Sequence, residues 1–249
     1  MDIIILVIFA LIGGLVQSAT GMGHGMVLMT LPVLFVPYIP LLLSVKILHI
    51  CFFIPVLFMY KKIKWKILLL PTLISYLGVI LGTSILTLAN QNQLSIVLGG
   101  IMLVLAVNHF INKKNVCFEA KWYHGMLAGL VSGFCSAIAS MAGPPLAYYY
   151  LSTKELSKDK DAYYATIMTT FFLINLQQLM VLAYNKNIPS ETMSIVYISI
   201  IPLIIGIFLG RAWTKRVNQQ QLKNIVFLVL GITGVYLIIN NLIILVGQI

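Results

Sequence analysis

The sequence predicts an all-α, polytopic membrane protein, and three observations carry that prediction. Hydrophobic residues make up 60% of the 249 and charged residues only 9%, against about 25% charged in a soluble domain. The deficit is concentrated. No charged residue falls between Asp2 and Lys46, or between Lys66 and Lys113, and each gap exceeds the roughly 20 apolar residues that cross a hydrocarbon core as a helix. Finally, the cations behind the formal charge of +10 lie in short loops beside apolar stretches. There they orient helices across a membrane and do not suggest nucleic-acid binding.

Eight apolar segments follow in order: 3–36, 40–60, 67–88, 94–112, 125–151, 163–184, 191–212 and 221–247. No linker divides them, so 1–249 reads as a single transmembrane domain. The first segment starts without the basic region of a cleaved signal peptide and is read as retained. As one helix it would be about 51 Å long, too long for a membrane of about 30 Å. Its middle, Thr20-Gly21-Met22-Gly23-His24-Gly25, suits a continuous helix poorly. The second segment carries Lys46 and His49, three residues apart and so on one helix face. The third follows the basic loop Lys61–Lys66 and bears Gly78-x-x-x-Gly82; the fourth holds Gly99. The fifth contains Met141-Ala142-Gly143-Pro144-Pro145, whose two prolines remove two backbone donors and break a helix. The sixth is the richest in polar side chains, among them Thr166, Thr169, Thr170, Asn175, Gln177 and Gln178; the seventh has Gly206-x-x-x-Gly210 and the eighth Gly231.

These features recur in the same order. Gly14-Leu15-Val16 returns as Gly129-Leu130-Val131, Gly78-x-x-x-Gly82 as Gly206-x-x-x-Gly210, and Gly99 as Gly231. A first repeat, 3–112, and a second, 125–247, are therefore expected, a duplication typical of secondary transporters.

Charge decides how the long first and fifth segments run. If each crosses once, the cations divide almost evenly between the two faces. If each breaks and turns back as a hairpin, fourteen of the sixteen Lys and Arg residues share one face, Lys186 alone occupies the other, and Lys46 stays inside the membrane. Such a bias is what the positive-inside rule demands. The expected architecture is six full crossings plus two broken hairpins, with the repeats inverted and both termini extracellular.

Hairpins imply chemistry. The second arm of each starts a helix near its tip, and helix N-termini present unpaired N–H groups and partial positive charge. Gly23, His24 and Gly25 would let a ligand approach the backbone, while Pro144 and Pro145 suit the first turn of a helix; Gly21 and Gly143 of the same motifs join the candidate binding residues. Two such ends meeting at the midplane would favour an anion. Lys46 either snorkels to the interface or lends positive potential to the pathway, and His24 and His49 offer a hydrogen bond or a proton site. Among many polar side chains, Thr20, Ser136, Ser140 and Asn175 lie nearest these motifs. Gly78, Gly82, Gly206 and Gly210 are read as packing residues. Three cysteines, Cys51, Cys117 and Cys135, have no metal spacing. Nothing resembles a catalytic constellation or a phosphate-cradling loop, so no enzyme, cofactor or metal is expected.

With those residues in place, the chain resembles the sulfite exporter TauE/SafE family over nearly its whole length. Gly14-x-x-x-Ser18-x-x-Gly21-x-Gly23-His24-Gly25 followed by Pro32 is similar to that family's first glycine-rich motif, with His24 at a usual glycine. Lys61-Lys62-Ile63-Lys64-Trp65-Lys66 resembles its basic-plus-tryptophan loop. Gly143-Pro144-Pro145-Leu146, Tyr149, Ala165-Thr166 and Phe171-Phe172-Leu173-x-Asn175 resemble the second-half motif. Tyr164 stands where many members have arginine, and Ser136 and Ile138–Ser140 replace glycines. The resemblance implies a cell-membrane transporter of a small anion, the family's substrates being sulfite and organosulfonates such as sulfoacetate. The leading expectation is alternating access, the two inverted halves rocking about a midplane site that binds sulfite or a related sulfonate. Another oxyanion or a carboxylate as substrate, an anion channel and a membrane scaffold are the alternatives. Membrane lipid is the other expected partner, and a homo-oligomer is allowed.

Overall fold

The computed structural model describes residues 2–111, 121–184, 189–213 and 219–246. Lys113, Lys114, Lys186, Lys215, Arg216 and Cys117, which entered the charge and cysteine reading, lie outside them. The described chain is helical throughout: α1 (Asp2–Thr20), α2 (His24–Leu28), α3 (Tyr38–Leu48), α4 (Phe53–Leu57), α5 (Trp65–Leu88), α6 (Gln91–Ile111), α7 (Trp122–Ala139), α8 (Gly143–Ser152), α9 (Lys154–Lys158), α10 (Lys160–Tyr184), α11 (Glu191–Trp213) and α12 (Gln219–Val246). Seven stretches are long and apolar enough to cross a membrane. Six of them are the segments read as full crossings, and the seventh, Ile3–Thr20, is the first arm of the first hairpin.

Both long segments break where glycine and proline allow it. α1 ends at Thr20, and the turn uses Gly21 at φ +80° and Gly23 at φ +126°, angles that carry no steric penalty only for glycine. The chain then reverses. A Cβ built on Gly13 would lie 3.6 Å from the His24 Cα, whereas eleven residues of continuous helix would separate them by about 16 Å. The second hairpin turns at Ser140, which has φ 56°. Gly125 near the start of α7 then lies against the ring of Tyr149 in α8.

The segment 38–57 is not one straight helix. Between α3 and α4 the residues His49–Phe52 form a 3₁₀ turn. Pro55, inside α4, has no N–H to give to Cys51 and its ring crowds that carbonyl, so the helix upstream tightens.

Glycine sets the helix packing. Gly206 of α11 lies against the Leu11 carbonyl of α1, and Gly14 of α1 against the Leu203 carbonyl of α11. In the other pair, Gly78 of α5 meets the Leu130 carbonyl of α7, while Gly129 and Gly133 of α7 meet the carbonyls of Pro71 and Ser75. A Cβ at any of these would fall within 2.5 Å of backbone oxygen, so only glycine permits so close a crossing. The first arm of each hairpin, α1 and α7, thus packs on a helix distant in sequence, α11 and α5 respectively.

One face collects the charge. Lys62 pairs with Asp161 at 3.0 Å and with Asp159 at 3.7 Å, Lys64 with Glu155 at 4.0 Å, and Arg211 with Asp161 at 3.5 Å. Asp159 also accepts the Asp161 and Ala162 N–H groups that open α10. The Ala162 N–H, then Lys62, holds its carboxyl below the usual carboxylate range. The loop before α5 and the stretch from α9 to α10 therefore share a face, as hairpins require.

Candidate functional site

The hairpin tips touch each other. A Cβ on Gly25 would lie 1.9 Å from the Ser140 carbonyl oxygen, and one on Gly143 would lie 3.0 Å from the Met22 Cβ. Beside this contact is a small cavity of about 20 Å³. Of the residues singled out from sequence, Gly23, Gly25, His49, Ser136, Ser140, Gly143 and Asn175 line it. They come from both hairpins, the 3₁₀ turn after α3, and α10.

The other five stand behind the lining. Thr20 ends α1, its hydroxyl within reach of the Val16 carbonyl at 2.9 Å and the Met22 carbonyl at 2.6 Å. Gly21 forms the turn against the Tyr163 ring. Pro144 is buried in the first turn of α8. His24 and Lys46 are fully buried and bond to lining residues.

Lys46 does not reach the interface. Its ammonium donates to the Ser136 carbonyl at 2.6 Å and has the Ser136 hydroxyl at 3.2 Å, with the Ser140 hydroxyl and Asn175 Oδ1 both at 3.5 Å. Three N–H groups thus meet four neutral oxygens. Their dipoles solvate the charge without cancelling it. No Asp or Glu is buried among the residues whose burial is described, so a protonated Lys46 has no carboxylate partner among them.

Gln17 also belongs to the site, although it is not among the four polar residues that the sequence motifs favour. Its Oε1 accepts the His24 backbone N–H at 2.9 Å, while its Nε2 lies 3.3 Å from His49 Nε2 and 3.4 Å from Met168 Sδ. The two imidazoles meet through their Nδ1 atoms at 3.3 Å. Met26, Met141, Ala142 and Phe171 complete the lining. Met141, Ala142 and Phe171 fall within the sequence motifs noted above, whereas Met26 is one apolar residue among many and nothing in the sequence marks it.

The helix ends contribute less than their sequence suggests. α2 has only five residues, so few peptide dipoles align there. At α8, Pro144 and Pro145 remove two of the N–H groups a ligand would otherwise meet. The basic side chain nearest the lining oxygens is Lys46.

A family model described as Sulfite exporter TauE/SafE matches residues 6–237. No curated protein and no solved structure matches the chain.

Proposed function

Because this chain belongs to the sulfite exporter TauE/SafE family, a family of membrane anion transporters, we propose that it carries sulfite or an organosulfonate such as sulfoacetate through the cavity between its hairpin tips. One observation carries the assignment to that cavity. The Lys46 side-chain nitrogen is buried against Ser136, Ser140 and Asn175, all of which face the cavity, and no Asp or Glu is buried among the residues whose burial is described, so as an ammonium it has no counter-charge there. An anion there restores local neutrality, and hydroxyl and amide groups can donate to its oxygens.

Transport proceeds by alternating access between two inverted repeats, 3–112 and 125–247. Reciprocal packing, α1 on α11 and α7 on α5, supports this, because each half is held by the arm of the other. Motion of one half against the other would then part the tips that now touch at Gly25 and Ser140. Binding comes from Ser136, Ser140, Asn175, His49 and the glycine backbone at 23, 25 and 143. Lys46, His24, Thr20, Gly21 and Pro144 set the charge and shape behind them.

Purified protein in liposomes, given labelled sulfite or labelled sulfoacetate, tests this directly. Uptake of at least one should exceed that of protein-free liposomes and saturate. Equal entry of both anions with and without protein would refute the assignment.

A further inference from the structure

Hydrogen-bond logic around His49 leaves one consistent placement of protons. The His24 backbone N–H can only donate, so the Gln17 atom facing it is the amide oxygen, at 2.9 Å. The Gln17 amide nitrogen is thereby turned to His49 Nε2 at 3.3 Å and to Met168 Sδ at 3.4 Å, one N–H for each. His49 Nε2 must then accept, which places the His49 proton on Nδ1. That N–H donates to His24 Nδ1, 3.3 Å away, and the His24 proton sits on Nε2, a buried atom without a hydrogen-bond partner. Amide orientation and both tautomers follow from a single backbone donor.

Such a pair is closed to a further proton unless something moves. A proton bonding to the Nε2 lone pair of His49 would meet the Gln17 N–H head-on, so that bond breaks. The new N⁺–H is then free for the cavity that His49 lines. The titratable groups facing His49 are His24 from the first hairpin and Lys46 one turn back on its own helix. Gln17 from α1, Ser136 and Ser140 from the second hairpin, and Met168, Phe171 and Asn175 from α10 bring no titratable group. A second cation so near Lys46 is unfavourable in an empty site. It becomes favourable when an anion lies between them. Linkage then runs both ways: the anion raises proton affinity at His49, and the proton raises anion affinity by the same factor.

We infer that His49, set by His24 and Gln17, is a proton-binding site that makes this protein a proton–anion symporter. The inference rests on the anion-transport reading above. It is tested with labelled sulfoacetate, which stays fully ionised near neutral pH, in liposomes clamped at zero membrane potential. With the outside one pH unit more acidic, wild-type protein should concentrate the label about tenfold inside for one proton per anion, and H49Q should lose that gain. Label equal on both sides despite the gradient, with uptake intact, overturns the coupling and leaves anion transport standing. If sulfite alone is carried, the gain is read for sulfite above protein-free liposomes, and an equal gain in H49Q overturns the coupling. Absence of protein-dependent uptake of both anions refutes the transport reading itself, and the coupling with it.

Discussion

Lys46 sits where a cation is costly. Moving an ammonium out of water loses several kcal/mol even after relaxation, and here the compensation is four neutral oxygens and no carboxylate. A residue kept only for stability would be better served by a hydrocarbon chain of similar length. The substitution Lys46→Met separates the two roles. Its melting temperature in detergent should hold or rise, because the desolvation cost is removed. Uptake of the labelled anion should fall about thirtyfold or more, corresponding to about 2 kcal/mol of lost attraction. A fall in melting temperature with uptake unchanged would make Lys46 a structural residue. That Lys46 and His49 share a face was readable from their spacing. That the lysine points at Ser136 and Asn175 and not at the interface was not, since those partners are 90 and 129 residues away.

At the scale of elements, the two breaks were the most readable features of the fold. Gly21, Gly23 and the Pro144-Pro145 pair act on their own backbone, and local constraints survive any tertiary context. The 3₁₀ turn at His49–Phe52 carried the same kind of signal in Pro55 but sat in a segment whose apolar run looked uninterrupted. The contact between hairpin tips was expected only conditionally, because it depends on how two distant hairpins are aimed. It can be probed by adding a single methyl group. A Cβ on Gly25 would lie 1.9 Å from the Ser140 carbonyl oxygen, whereas a Cβ on Gly100, in α6, meets nothing within 4 Å. Gly25→Ala should therefore destabilise by about 1–3 kcal/mol through overpacking and suppress uptake as the tips separate. Gly100→Ala should leave uptake alone and gain up to about 1 kcal/mol from helix propensity. Thermal unfolding in detergent and liposome uptake, run side by side, check both. A silent Gly25→Ala would mean that the tips do not meet.

For the whole molecule, the charge count in the sequence and the ion pairs in the structure point to one topology by independent routes. The charge distribution alone puts the loop at 61–66 and the stretch at 152–162 on a common face. Pairing joins them at Lys62–Asp161 and Lys64–Glu155, with Arg211 added from α11. These pairs are open to solvent, which screens them, so removing one should barely change stability. Their value is as a ruler. In a variant with Cys51, Cys117 and Cys135 replaced, single cysteines at Lys62 and Asp161 should react with a membrane-impermeant thiol reagent from the same side. The positive-inside rule predicts that this side is the cytoplasm. Both sites should therefore stay unlabelled in intact cells and react in inside-out vesicles, and the double variant should join through a short bifunctional linker. Labelling from opposite sides would unfold the hairpins into single crossings. It would also separate the tips at Gly25 and Ser140 and take Lys46 away from Ser136, leaving no common cavity for an anion to enter.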